Sequence, residues 1–84
     1  MMTTRIVIAE DEAIIRLDLR ETLIEEGYEV VGDCGRGDEA VALVKEMKPD
    51  AVILDIKMPS RQDWTTHKEL ESLAWMPIYN THLN

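Results

Sequence analysis

The chain is poor in cysteine, in aromatic residues and in basic residues, and each shortage removes a class of protein. A single thiol, Cys34, cannot close a disulfide within the chain, so a hydrophobic core must hold the fold and cytoplasmic residence is the expectation. Nine Lys and Arg stand against 17 Asp and Glu, a net charge of −8. A surface of that sign repels phosphates, which argues against direct nucleic-acid binding. The longest unbroken apolar run is residues 40–44, far below the roughly 18 residues of a membrane span. The start offers only Ile6 to Ala9 before the acids begin at Glu10, so neither a membrane partner nor a signal-peptide core is expected. Internal repeats, linkers and low-complexity stretches are also lacking.

What is present is a small α/β pattern. Eighty-four residues make one domain, and a chain of that size buries only roughly 60% of its unfolded surface, so each element counts. Residues 5–9, Arg-Ile-Val-Ile-Ala, are short and β-branched, as a strand buried on both faces requires. Over residues 12–26, Ile15, Leu19 and Leu23 recur every four positions with Ile14, Leu17 and Ile24 beside them, a helical stripe with Asp11 placed to cap it and Gly27 to stop it. Residues 28–34 read as a second strand ending in Gly35-Arg36-Gly37. Asp38 is placed to cap a second helix over residues 39–48, with Ala40, Leu43, Val44 and Met47 inward and Pro49 closing it. Residues 51–54 make a third buried strand. This order predicts parallel strands joined by helical crossovers.

Outside the carboxyl ends of such strands lies the crevice where α/β sheets carry function. Glu10 and Asp11 follow the first strand and Asp55 follows the third. Converging carboxylates repel one another and raise their proton affinity unless a cation offsets the charge. Mg²⁺ suits such a hard oxygen set, and a carboxylate beside it can attack phosphorus to give an acyl phosphate. A structural reading stands beside this one: Asp11 as a cap, Glu12 as a complement to the helix dipole, Asp55 as the start of a turn.

The segments Ile6-Val7-Ile8-Ala9-Glu10-Asp11-Glu12, Gly27-Tyr28-Glu29-Val30-Val31 and Pro49-Asp50-Ala51-Val52-Ile53-Leu54-Asp55-Ile56-Lys57-Met58-Pro59 resemble a response-regulator receiver domain of two-component signalling. Their wording is most similar to receivers of regulators whose output is an ANTAR-type RNA-binding module. The resemblance implies a flavodoxin-like parallel sheet of order 2-1-3-4-5. It also implies a bacterial phosphorelay protein of transcriptional regulation, a signalling module rather than a turnover enzyme. Asp55 is then the acceptor of a phosphoryl group from a sensor histidine kinase. Mg²⁺ is held by Glu10, Asp11, Asp55 and the backbone carbonyl of Lys57.

The likeness weakens after Pro59. Residues 60–84 hold both histidines and both tryptophans, and 9 of these 25 are hydrophobic against 29 of the preceding 59, so the chain divides into residues 1–59, the first part of a receiver, and a divergent tail, 60–84. Trp64 stands where the family places a glycine, and no Lys-Pro follows Asp55. The tail offers a short helix over residues 65–74 and a weak strand over 77–83, with Thr81 a stand-in for the family's switch hydroxyl. The sheet is expected to be incomplete, with strand three an exposed edge that invites self-association and helix one lacking cover. A shortened or frame-shifted receiver fits this break, and the alternative to phosphorylation is a phosphorylation-incompetent fragment that acts only as a protein-interaction module or is a non-functional product.

Three further features carry little. Gly35-Arg36-Gly37-Asp38-Glu39-Ala40 matches a dinucleotide fingerprint, but a turn before a helix explains it. Cys34 reads as a small buried hydrophobe. His67 and His82 lack metal-ligand spacing, and Trp64, Trp75 and Tyr79 serve either as cover for the open edge or as isolated aromatics.

Overall fold

The computed structural model describes residues 3–55, 68, 69, 72 and 77–80. Its elements run β1 (Arg5–Glu10), α1 (Ala13–Glu25), β2 (Glu29–Cys34), α2 (Gly37–Met47), β3 (Ala51–Asp55) and β4 (Ile78–Asn80). All the pairings are parallel, in the order β2-β1-β3-β4.

β1 sits between β2 and β3, which is why its β-branched run has no polar face: Ile6 to Glu10 are all buried. Alternation divides it. Val7 and Ala9 pack with Val52, Leu54, Cys34 and the α2 residues Ala40, Val41 and Val44. Ile6 and Ile8 pack on the opposite side with Ala51, Ile53, Val30 and the α1 residues Leu19 and Leu23. Each helix thus covers one face, as a crossover fold requires.

Helix α1 begins one residue later than its pattern implies, and Asp11 does not cap it. Glu12 is the N-cap residue, without a side-chain cap, and its carbonyl accepts the first helical bond from Arg16 N–H at 2.9 Å. Gly27 does end it. With φ at +95°, Gly27 lets its own N–H reach Ile24 O and that of Tyr28 reach Leu23 O, at 3.1 and 3.0 Å. That pair of bonds is a Schellman closure. The apolar stripe points inward only in part. Leu19 and Leu23 meet the sheet, whereas Ile14, Leu17 and Ile24 are 84%, 56% and 52% exposed.

Helix α2 starts two residues before the expected Glu39. Its first bond runs from Ala40 N–H to Arg36 O at 3.1 Å, so Asp38 falls inside the first turn rather than at the cap. There its carboxylate meets Arg36 at 3.0 and 3.1 Å and accepts the Glu39 N–H. At the other end Lys48 turns left-handed, φ 48°, and buried Pro49 follows.

The expectation that β3 is a bare edge is overturned. β4 pairs with it, Val52 opposite Ile78 and Leu54 opposite Asn80, and Val52 N–H reaches the Pro77 carbonyl at 3.1 Å. The weak strand of the tail is therefore real over Ile78–Asn80, despite its polarity, because β3's unpaired backbone groups supply its partner. The self-association expected through that edge loses its basis. Of the tail helix, Lys68, Glu69 and Ser72 are described and are helical. The rest of it, with Trp64, Trp75, His67 and His82, lies outside the described residues.

Candidate functional site

Parallel pairing brings the carboxyl ends of β1 and β3 together. Glu10, the last residue of β1, is in register with Asp55, the last of β3, so their backbones lie one strand spacing apart, about 4.8 Å. The strand runs one residue further than residues 5–9 imply, which puts Glu10 inside the sheet at 1% exposure. Asp11, the next residue, is exposed.

A buried carboxylate needs compensation. Glu10 Oε1 accepts the Glu12 N–H at 2.9 Å, at the amino end of α1, where the helix dipole favours negative charge. The Glu10 carbonyl accepts a hydrogen bond from Arg16 Nη1 at 3.1 Å. Arg16 also faces Asp33 near the end of β2, Nε to Oδ1 3.7 Å, and Arg20 joins the other oxygen of Asp33 at 3.3 Å. The sequence reading missed this arginine, although Arg16 and Arg20 four apart on α1 and the polar Asp33 within β2 carry the signal.

Of the expected set, then, Glu10, Asp11 and the backbone of Asp55 come to one end of the sheet. Lys57 and Thr81 lie outside the described residues. Among the described residues no group of three His, Cys, Asp or Glu side chains forms a metal cage. The donors that are placed are hard carboxylate oxygens, one of them buried, and that chemistry fits Mg²⁺ rather than a softer ion.

A family model, "Response regulator receiver domain", matches residues 6–80. The chain belongs to that family. The receiver is 54% identical over 74 residues, 88% of its length, to the transcriptional regulatory protein PdtaR of Mycobacterium tuberculosis, and covers 36% of that protein. It is 41% identical over 69 residues to the chemotaxis protein CheY of Thermotoga maritima, covering 82% of this chain and 58% of CheY. Both relatives are longer, so the receiver spans roughly a third to three fifths of them. Among solved structures, the response regulator domain of Thermotoga maritima CheB matches with a TM-score of 0.83 at 28% identity, over 94% of this chain and 60% of that one. The flavodoxin-like fold is thereby shown, and the match runs past Pro59 into β4.

Other candidate sites do not compete. The turn Gly35-Arg36-Gly37 leads into α2 as a dinucleotide fingerprint would, but Asp38 and Glu39 occupy the helix's first turn. Asp33, Glu39 and Glu46 line the adjoining cleft of about 470 Å³. Three carboxylates against the single Arg16 there oppose a pyrophosphate. Cys34 is buried as expected, and burial pushes its thiol up to about 11, far from a reactive thiolate. No helix among the described residues is long and apolar enough to cross a membrane.

Proposed function

We propose that this receiver accepts a phosphoryl group on Asp55 from a sensor histidine kinase. The observation that carries this reading is the register of Glu10 with Asp55 at the open end of the sheet. An Asp55 carboxylate oxygen attacks phosphorus in line, the bond from phosphorus to the donor's imidazole nitrogen breaks, and that nitrogen takes a proton from solvent. The product is an acyl phosphate on Asp55. Glu10, Asp11, Asp55 and the Lys57 carbonyl would hold Mg²⁺, which neutralises the incoming charge when bound.

This chain's own groups prepare the site. Glu10 is fixed by the Glu12 N–H, while exposed Asp11 is open to an entering cation. Thr81 is the proposed switch hydroxyl, a reading supported by the pairing of Asn80, its neighbour in sequence, with Leu54, the neighbour of Asp55. The role is that of a signalling module in transcriptional regulation, in keeping with the likeness to PdtaR.

The test is incubation with Mg²⁺ and labelled acetyl phosphate. Label that hydroxylamine removes, as it does from acyl phosphates, and that Asp55→Asn abolishes supports the reading. Label retained by Asp55→Asn overturns it. A second reading, an interaction module without phosphorylation, is favoured by the exposed Ile14, Leu17 and Ile24 of α1. It predicts no label on a folded chain.

A further inference from the structure

Arg16 touches three segments at once, and none of these contacts is legible as part of an acidic metal site. Its Nη1 donates to the Glu10 carbonyl at 3.1 Å, its Nε faces Asp33 at 3.7 Å, and its guanidinium fills the space above Gly35. A Cβ built on Gly35 would lie 2.6 Å from Arg16 Nη1, a distance that no Cβ tolerates. The nearest other atom to that Cβ is the Glu10 carbonyl oxygen at 3.7 Å. The ends of β1 and β2 therefore close around one guanidinium, whose planar fork can serve a carbonyl and a carboxylate together.

The Glu10 carbonyl belongs to the peptide that joins Glu10 to Asp11. A hydrogen bond to that oxygen fixes the rotation of the peptide plane. The same plane carries the Asp11 N–H and sets the position of the Asp11 Cα, from which the next peptide presents the Glu12 N–H that holds the Glu10 carboxylate. We infer that Arg16 is a positioning residue, which, anchored by Asp33 and seated on Gly35, locks the Glu10–Asp11 peptide so that the two carboxylates are pre-set for a divalent cation. The inference rests on the phosphoacceptor reading for its use, and on contacts independent of it for its geometry. Outer groups that orient ligands of this kind carry about ten- to a hundredfold of metal affinity.

Arg20 provides the control. It pairs with the same Asp33 at 3.3 Å from the same helix, four residues on, whereas the hydrogen bond to the Glu10 carbonyl comes from Arg16. Loss of an ion pair to Asp33 is common to both arginines, whereas the hydrogen bond to the Glu10 carbonyl is made by Arg16. Gly35→Ala supplies an independent route, because it displaces the guanidinium while leaving Arg16 in the sequence.

The experiment uses the full chain and two readouts. Mg²⁺ alone is titrated while amide shifts are followed, and amide hydrogen exchange at Glu12 is measured without metal. Arg16→Ala and Gly35→Ala are expected to weaken Mg²⁺ about tenfold or more and to speed Glu12 exchange, with Arg16→Lys between them and wild type. Arg20→Ala is expected to match wild type in both. Equal Mg²⁺ affinity and equal exchange in Arg16→Ala and wild type overturn the inference, as does the same loss in Arg20→Ala. If Arg16→Ala fails to fold, Gly35→Ala and Arg16→Lys decide by the same readouts. A wild-type chain that binds no Mg²⁺ refutes the phosphoacceptor reading instead, and the metal-free exchange at Glu12 still decides whether Arg16 holds the peptide.

Discussion

Glu10 and Asp55 end neighbouring parallel strands in register, with Glu10 buried to 1% and fixed by the Glu12 N–H. If these positions share a cation, removing one charge must weaken it. Glu10→Gln keeps an oxygen for the Glu12 N–H and is expected to fold, yet to lose about tenfold in Mg²⁺ affinity, roughly 1.4 kcal/mol. Calorimetric titration against wild type checks this. Unchanged affinity would remove Glu10 from the ligand set.

The two faces of the molecule predict opposite sensitivities. Leu54 is 1% exposed within the α2-side cluster, and Leu54→Ala is expected to cost about 2–5 kcal/mol. Ile14 is 84% exposed on α1, and Ile14→Ser should lie within about 0.5 kcal/mol of wild type. Urea unfolding of both variants tests the assignment. A large loss at Ile14 would mean that α1 is covered.

Gly27 closes α1 at φ +95° with nothing within 4 Å of an added Cβ, so its constraint is conformational, not steric crowding by neighbours. Gly27→Ala is expected to destabilise by about 1 kcal/mol. A shift of the urea midpoint without change in slope is the expected signature. No shift would show that the turn relaxes.

Cys34 gives a pH dependence with a definite sign. Burial raises its thiol from 9.0 to about 11, so between those values the unfolded chain loses the proton first and the folded state is disfavoured. The contribution is intact below pH 9 and declines toward 11. Wild type should therefore lose more stability than Cys34→Ala over that interval. Parallel curves for the two proteins would contradict the burial argument.

The strands and the acid pair were legible because β-branched runs bounded by acids have few other uses in a chain of this length. What misled was local. Asp11 and Asp38 look like caps in one dimension, but a cap requires its side chain to face back along the helix, and here Glu12 and Arg36 occupy those places. The stripe on α1 counted Ile14, Leu17 and Ile24 as core because periodicity reports a face, not what covers it. β4 is hard to see in the sequence because Asn80 is a poor strand former and the residues after it are polar; the open side of β3 decides its conformation. The pairing of Arg16 with Asp33 has a trace in the charge pattern, whereas its contact with the Glu10 backbone carbonyl leaves none. Thr81 and Lys57 remain proposals drawn from the family likeness.

The most direct test of the account is the intact mass of wild type and Asp55→Asn, side by side, after incubation with acetyl phosphate and Mg²⁺. One added phosphoryl group is expected on wild type, none on Asp55→Asn, and none on either when a chelator removes the metal. A wild-type chain that circular dichroism shows to be folded, and that gains no mass, would contradict it.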